Sequence, residues 1–144
     1  IGNQEYKTAK KYISNAIIDH NIKYLPLMRT IRLVRLIVFY EVQEHELIQY
    51  ESRSITRSLS SPKEQTFKTE RIILWFLNKR NIPILKKDRE AFWEKLSPEI
   101  HELYNNKYES QLLRLFDFTA WMESKIRKEK LSEVLRARAS AKEC

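Results

Sequence analysis

Five arginines are spaced in a way that suits binding of an anionic partner. Arg29, Arg32 and Arg35 recur at every third position of one segment, and Arg53 and Arg57 stand four residues apart in the next. On helices, the members of each set share one face. If the two faces meet, the five guanidinium groups line a groove suited to an acidic peptide, a phosphate group or an RNA backbone.

The same arginines have a simpler explanation, which we favour. Rows of charged residues are ordinary on protein surfaces, and Arg29, Arg32 and Arg35 are the part of their segment that we expect to face water. They would then form ion pairs with the acidic residues that follow in the sequence, which are Glu41, Glu44, Glu46 and Glu51.

Asp117 is the carboxylate with the most unusual neighbours. It lies between two phenylalanines and one helical turn before Trp121. Because buried polar groups are normally paired, we expect Asp117 to accept a hydrogen bond from the Trp121 indole or from a neighbouring helix, in a structural role. Trp121 also belongs to an aromatic set that we expect to be mostly core, and the set comprises Trp75, Phe76, Phe92, Trp93, Phe116 and Trp121.

The sequence has no pattern typical of a catalytic, metal or cofactor site. His20, His45 and His101 are isolated, and the glutamates on either side of His45 would point away from it on a helix. No Gly-x-Ser-x-Gly, HExxH or Walker pattern is present. We therefore predict no metal, no cofactor and no catalytic residue. An enzyme whose residues converge from distant positions stays a third hypothesis.

Composition points to helices. The chain has 144 residues, 42% of them hydrophobic, and only one glycine. It is rich in Lys, Glu, Leu, Ile, Arg and Gln, which favour helices. With so little glycine, tight hairpins and phosphate-binding loops are disfavoured. The longest apolar run is far short of the roughly 18 residues of a membrane span.

The net charge of +8 is uneven along the chain. Between Lys125 and Lys142 there are seven basic and two acidic residues, a net charge of +5 (7 − 2).

The sole cysteine, Cys144, excludes an intramolecular disulfide, which fits a reducing compartment. We therefore expect a cytoplasmic location. Because the chain opens at Ile1 without methionine, we expect it to be a piece of something longer, although a removed leader would look the same.

Apolar spacing predicts about six helices. The predicted ranges are 4–20, 26–42, 46–59, 62–80, 86–104 and 106–126, the last one continuing less firmly into the tail. The second is apolar nearly all round, so other helices must cover it on both flanks. Ser61 and Pro62 resemble an N-cap and a first helical residue. Pro98 should kink or break the fifth helix, and Leu131, Val134 and Leu135 offer one more apolar contact.

Pro26 and Pro62 each open a predicted helix and stand 36 residues apart (62 − 26), a spacing typical of a two-helix repeat. The segment Ala9–Ile13, with Tyr24-Leu25-Pro26 and Arg29, resembles the repeat joints of bacterial tetratricopeptide-like proteins. Later residues are similar to the C-terminal end of such arrays; they are Phe39-Tyr40, Tyr50, Arg53-Ser54, Arg57, Trp75-Phe76-Leu77, Leu115–Phe118 and Trp121–Ile126.

The resemblance implies antiparallel helical hairpins stacked as a tetratricopeptide-like array or a right-handed α–α superhelix. It implies a surface for a protein partner and a final helix that shields the last core face. The chain departs from the standard pattern, since it lacks Trp-x-x-Leu-Gly and has no glycine at the helix crossing.

The leading functional hypothesis is a non-enzymatic helical scaffold that binds a protein or an acidic peptide. We assign residues 1–126 to one helical-repeat domain and residues 127–144 to a basic tail. The partner-binding candidates are Arg29, Arg32, Arg35, Arg53 and Arg57, and the structural candidates are Asp117, Trp121 and Trp75. The alternative is a basic helical domain that binds nucleic acid, and its binding would weaken steeply with salt.

Overall fold

The computed structural model describes residues 5–14, 26–59, 67–78 and 82–142, and every regular element in these ranges is a helix. This confirms the predicted all-α class. The helices are α1 Tyr6–Ser14, α2 Pro26–Glu41, α3 His45–Leu59, α4 Lys68–Asn78, α5 Lys86–Asn105, α6 Glu109–Leu115, α7 Phe118–Arg127 and α8 Leu131–Lys142.

The described ranges hold eight helices where six were predicted, because the expected final helix is divided into α6 and α7 and its continuation into the tail is a separate helix, α8. Between α6 and α7 the backbone is extended at Phe116 (φ −155°), and the Asp117 side chain accepts a hydrogen bond from the N–H of Ala120. Asp is among the best N-cap residues, since its carboxylate satisfies an N–H that has no partner within the helix. The prediction of one continuous helix from residue 106 to residue 126 was therefore wrong.

The described chain divides into two compact units. The first holds α1, α2, α3 and α4 as far as Leu77, and the second begins at Asn78 and holds α5 to α8. The assignment of residues 1–126 to one helical-repeat domain and of residues 127–144 to a tail stays a prediction.

In the first unit, α2 is the central helix, as predicted. Leu33, Leu36, Ile37 and Val38 are fully buried, and Phe39 is nearly so. α1 and α3 both pack against α2. Burying an aliphatic side chain of this kind contributes about 1.5–3 kcal/mol, so this apolar segment can form a stable helix only with neighbours around it.

A short turn, Val42–Glu44, joins α2 to α3. Gln43 has a φ of 63°, a left-handed conformation that costs a non-glycine residue roughly 1–2 kcal/mol. The N–H of Glu44 donates to the Phe39 carbonyl at 2.9 Å, so a carbonyl at the end of α2 gains a partner. α2 and α3 thus form a helical hairpin.

α4 begins later than predicted. Ser61 and Pro62 lie outside the described residues, and Phe67, which is described, is not helical. A single helix from residue 62 to residue 80 is therefore not formed. The Glu70 carboxylate, in the third position of α4, accepts a hydrogen bond from the N–H of Phe67 at 3.4 Å. A side chain that reaches back to the start of its own helix in this way satisfies a backbone donor.

In the second unit, α5 runs through Pro98 as one helix, so the break that we considered there does not occur. Trp93, Leu96, Ile100 and Leu103 are buried and keep one helical period on both sides of the proline. Because this apolar face packs against α7, its burial outweighs the roughly 3 kcal/mol that an interior proline costs.

α7 carries the most completely buried face of this unit. Phe118, Trp121, Met122 and Ile126 have no exposed surface. α8 packs on α7 through a short apolar face, since Leu131 and Val134 are buried and Leu135 is partly exposed. None of the described helices combines the length and apolar character needed to cross a bilayer.

Candidate functional site

The arginine row on α2 is not the solvated surface that the sequence suggested. Arg29 is only 6% exposed. Its Nε donates to one carboxylate oxygen of Glu70 and its terminal NH2 to the other, both at 2.7 Å. This bidentate geometry is the strongest form of a charge-assisted pair. Arg29 therefore holds α2 to α4 and does not present its charge to a partner.

An aromatic ring lies against this ion pair. The Arg29 guanidinium lies 4.6 Å from the centre of the Phe67 ring, within the range of a cation–π interaction. Burial raises the pKa of Glu70 above its ordinary value, while Arg29 acts in the opposite direction. A buried carboxylate is expensive without a counter-charge, so Glu70 depends on Arg29.

Arg32 and Arg35 also bridge α2 to its neighbours. The Nε of Arg32 lies 3.4 Å from a Glu51 carboxylate oxygen, and its NH2 donates to the Ser54 hydroxyl at 3.2 Å. The NH2 of Arg35 donates to the Ile13 carbonyl in the last turn of α1 at 3.2 Å. The row thus connects α2 to three helices, one arginine to each. The expected ion pair between Arg32 and Glu51 forms. Because the α2 arginines contact neighbouring helices, they do not line the anion-binding groove that the sequence suggested.

Arg53 and Arg57 lie on the opposite, exposed face of α3. None of the ion pairs between described residues includes either of them. Tyr50, which is 72% exposed, and the partly exposed Leu47 precede them on the same helix. With spacings of three, three and four residues, Leu47, Tyr50, Arg53 and Arg57 share one face. We call these four residues the α3 surface.

In the second unit, Asp117 is the centre of a polar cluster. It caps α7 through the N–H of Ala120 at 2.9 Å. It also accepts hydrogen bonds from the Thr119 hydroxyl and the Tyr104 hydroxyl, both at 2.8 Å. Asp117 therefore joins α5 to the start of α7. The expected partner from a neighbouring helix is Tyr104.

Arg138 of α8 completes the cluster. One terminal nitrogen donates to the Tyr104 hydroxyl and to the Thr119 hydroxyl, both at 2.8 Å, and lies 3.1 Å from an Asp117 oxygen. Its other terminal nitrogen donates to Glu123 at 2.6 Å, and its Nε donates to the same oxygen at 2.9 Å. All three guanidinium nitrogens therefore have acceptors from α5 or α7.

Burial and charge shift two pKa values in this cluster. Burial raises the pKa of Tyr104 to about 12, and the nearby Asp117 charge adds to the effect. Burial works against the charged form of Arg138, but Asp117 and Glu123 outweigh it and raise the pKa of Arg138. Tyr104 is therefore a neutral hydrogen-bond donor at physiological pH, and the cluster suits structural contacts better than proton transfer near pH 7.

The other residues singled out in the sequence are two tryptophans, three histidines and the cysteine. Trp121 is fully buried, whereas Trp75 is 44% exposed, so the expectation of a core position was wrong for Trp75. His45 and His101 are exposed, and His20 and Cys144 lie outside the described residues. Across the described ranges, no three His, Cys, Asp or Glu side chains are grouped so as to hold a metal ion.

A cleft of about 250 Å³ lies beside the start of α5. Three basic and three acidic side chains line it, and they are Lys86, Arg89, Arg127, Glu90, Glu94 and Glu129. Because the positive and negative charges are equal in number, the lining gives the cleft no net preference for an anion or a cation.

No protein-family model, curated protein or solved structure matches this chain. The functional conclusion therefore depends on the geometry of the chain itself.

Proposed function

We propose that this chain is a non-enzymatic α-helical scaffold that binds an acidic segment of a partner protein through the α3 surface. The observation that carries this proposal is the division of the five arginines. Arg29, Arg32 and Arg35 form contacts between helices, while Arg53 and Arg57 lie exposed beside Tyr50.

The α3 surface has the composition of an interaction hot spot. Tyrosine and arginine are enriched among the residues that dominate binding energy at protein interfaces. Tyr50 offers a large ring with few rotatable bonds, and two guanidinium groups one turn apart match the carboxylates of an acidic helix or loop. We therefore favour an acidic peptide segment over an apolar one.

Further features support a scaffold. The polar clusters around Arg29 and Asp117 use their charged atoms to join helices, which suits a rigid support. The α2–α3 hairpin is the kind of unit from which a tetratricopeptide-like array is built, and we propose that the chain belongs to such an array and acts in the cytoplasm.

Selection of random twelve-residue peptides displayed on phage tests the proposal. Immobilised wild-type protein is the bait, and the Arg53→Glu/Arg57→Glu variant removes non-specific binders. We expect the recovered peptides to be rich in Asp and Glu. In fluorescence anisotropy they should bind the charge-reversed variant at least about tenfold more weakly, a loss of about 1.4 kcal/mol.

The matched control is Lys7→Glu/Lys11→Glu. It makes the same change in net charge at the same four-residue spacing on the exposed face of α1. Equal losses in both variants would show general charge attraction and would contradict a specific α3 surface. A 12-nucleotide single-stranded DNA serves as the competing probe. Tighter binding of that probe than of any peptide, with steep salt dependence, would favour the nucleic-acid alternative.

A further inference from the structure

The contacts of Arg138 describe a binding site for a planar cation. Its donors meet two carboxylates, those of Asp117 and Glu123, and two hydroxyls, those of Tyr104 and Thr119. An arginine fork fits such a set of acceptors better than a lysine ammonium does, because its donors are fixed in one plane.

An aromatic wall borders the same site. The Trp93 ring centre lies 5.9 Å from the Arg138 guanidinium and 6.0 Å from that of Arg127. Both distances are within the range of cation–π attraction, for which tryptophan is the best partner. Trp93 is also a natural spectroscopic reporter for the occupancy of the site.

The acceptors are held in place without help from α8. Asp117 is fixed by the Ala120 N–H and the Thr119 hydroxyl. Glu123 pairs with Arg127, whose terminal nitrogen lies 3.1 Å away. None of these contacts includes Arg138, so we expect the site to be pre-organised on α5 and α7.

By contrast, α8 offers few contacts of its own. Its buried side chains are Leu131 and Val134, and Arg138 is partly buried. Most of its other described side chains are exposed. The residues through which α8 packs therefore have a simple spacing. An apolar residue is followed by a second apolar residue three positions later and by an arginine four positions after that.

We propose that Tyr104, Asp117, Thr119 and Glu123 form a guanidinium-binding site that the chain's own Arg138 fills. When α8 is displaced, the site accepts the arginine of a partner helix that carries the same apolar-x-x-apolar-x-x-x-Arg pattern. α8 is then an internal ligand that competes with that partner. This site lies in the second unit and is separate from the α3 surface.

Chemical rescue tests the site in the full chain. Trp75→Phe leaves Trp93 and Trp121 as the fluorescent reporters, both in the second unit. In this background, Arg138→Ala should lower the Tm. Methylguanidinium at 10 mM, far below the molar range in which guanidinium denatures proteins, should raise it again by about 3–5 °C if the dissociation constant is near 1 mM.

Two controls make the rescue specific. Arg136→Ala removes an exposed arginine from the same helix and should show no rise with methylguanidinium. Methylammonium carries the same charge without the planar fork and should not rescue Arg138→Ala. No rise for Arg138→Ala, or an equal rise in either control, would overturn the proposal.

A second measurement needs no destabilised variant. A synthetic peptide of the 12-residue α8 sequence is added to the wild-type chain at millimolar concentration, because tethered α8 competes at a comparable effective concentration. We expect faster hydrogen exchange in α8 with this peptide and no change with its Arg138→Ala form. No acceleration, or equal acceleration by both peptides, would contradict displacement through the guanidinium site.

Discussion

Replacing Arg29 with methionine is expected to lower the free energy of unfolding by about 3–5 kcal/mol at pH 7. The side chains of Arg29 and Glu70 are 7% and 4% exposed and form two hydrogen bonds of 2.7 Å. Without Arg29, the buried Glu70 carboxylate loses both of these hydrogen bonds and keeps the weaker attraction of Arg32. The poorly compensated charge is the main cost. Urea unfolding followed by far-UV circular dichroism measures the loss.

The pH dependence separates this charge effect from lost packing. Loss of Arg29 should raise the pKa of Glu70 further above the value near 4.3 of an exposed glutamate. The protonated form then fits the buried site, so the destabilisation should be smallest below about pH 4 and should grow as the pH rises. A loss that is equal at pH 4 and pH 7 would show that packing, and not charge, is responsible.

Two further variants complete the experiment. Arg53→Met removes an exposed arginine and should change stability by less than about 0.5 kcal/mol. Arg29→Met/Glu70→Leu removes both charges and should recover most of the stability, because an apolar replacement of a buried ion pair is often neutral or stabilising. A double variant as unstable as Arg29→Met would contradict the proposed role of the unpaired carboxylate.

Replacing Trp121 with alanine is expected to cost about 3–5 kcal/mol, the usual cost of truncating a buried aromatic residue. Trp121 has no exposed surface and lies on the buried face of α7. The loss should be measured as the shift of the urea midpoint for the second unit, with hydrogen exchange of α5 and α7 showing which unit opens.

Trp75→Ala is the matched control, since the residue type is the same and only the burial differs. With Trp75 at 44% exposed, we expect a loss of less than about 1.5 kcal/mol, because much of the ring already contacts water. Similar losses for the two tryptophans would contradict the placement of Trp75 at the surface.

The helices that could be predicted are those in which the spacing of apolar residues along the sequence shows which face must be buried. The segment from Pro26 to Glu41 is apolar on nearly every side, and only a helix covered on two flanks buries it. Trp93, Leu96, Ile100 and Leu103 keep one helical period across Pro98, but the proline left a break equally open, and the structure shows one helix there. Local spacing carries this information directly.

The break at Asp117 was missed because the apolar period gave a stronger signal than the cap. Tyr108, Leu112, Leu115 and Ile126 keep a helical period across residues 116 and 117, although Tyr108 and Leu115 are largely exposed. The available signal was Asp117 itself, since Asp favours an N-cap over a helix interior.

The ion pairs could not be predicted from spacing. Arg29 and Glu70 are 41 residues apart, and Arg138 lies 21 residues from Asp117. Only the packing of whole helices brings such residues together, so a row of arginines gives the same sequence pattern whether it faces water or a neighbouring helix. The Arg32–Glu51 pair was within reach, because the short turn between α2 and α3 places the two residues side by side.

Hydrogen exchange in α2 tests most directly the claim that this helix is the packed centre of its unit and that its arginines serve the fold. We predict that the amides of Leu33 to Phe39 are the slowest to exchange in the first unit, by at least about a thousandfold relative to an unstructured chain. Arg29→Met should accelerate them. Exchange of these amides as fast as that of the exposed first turn of α3 would contradict the account.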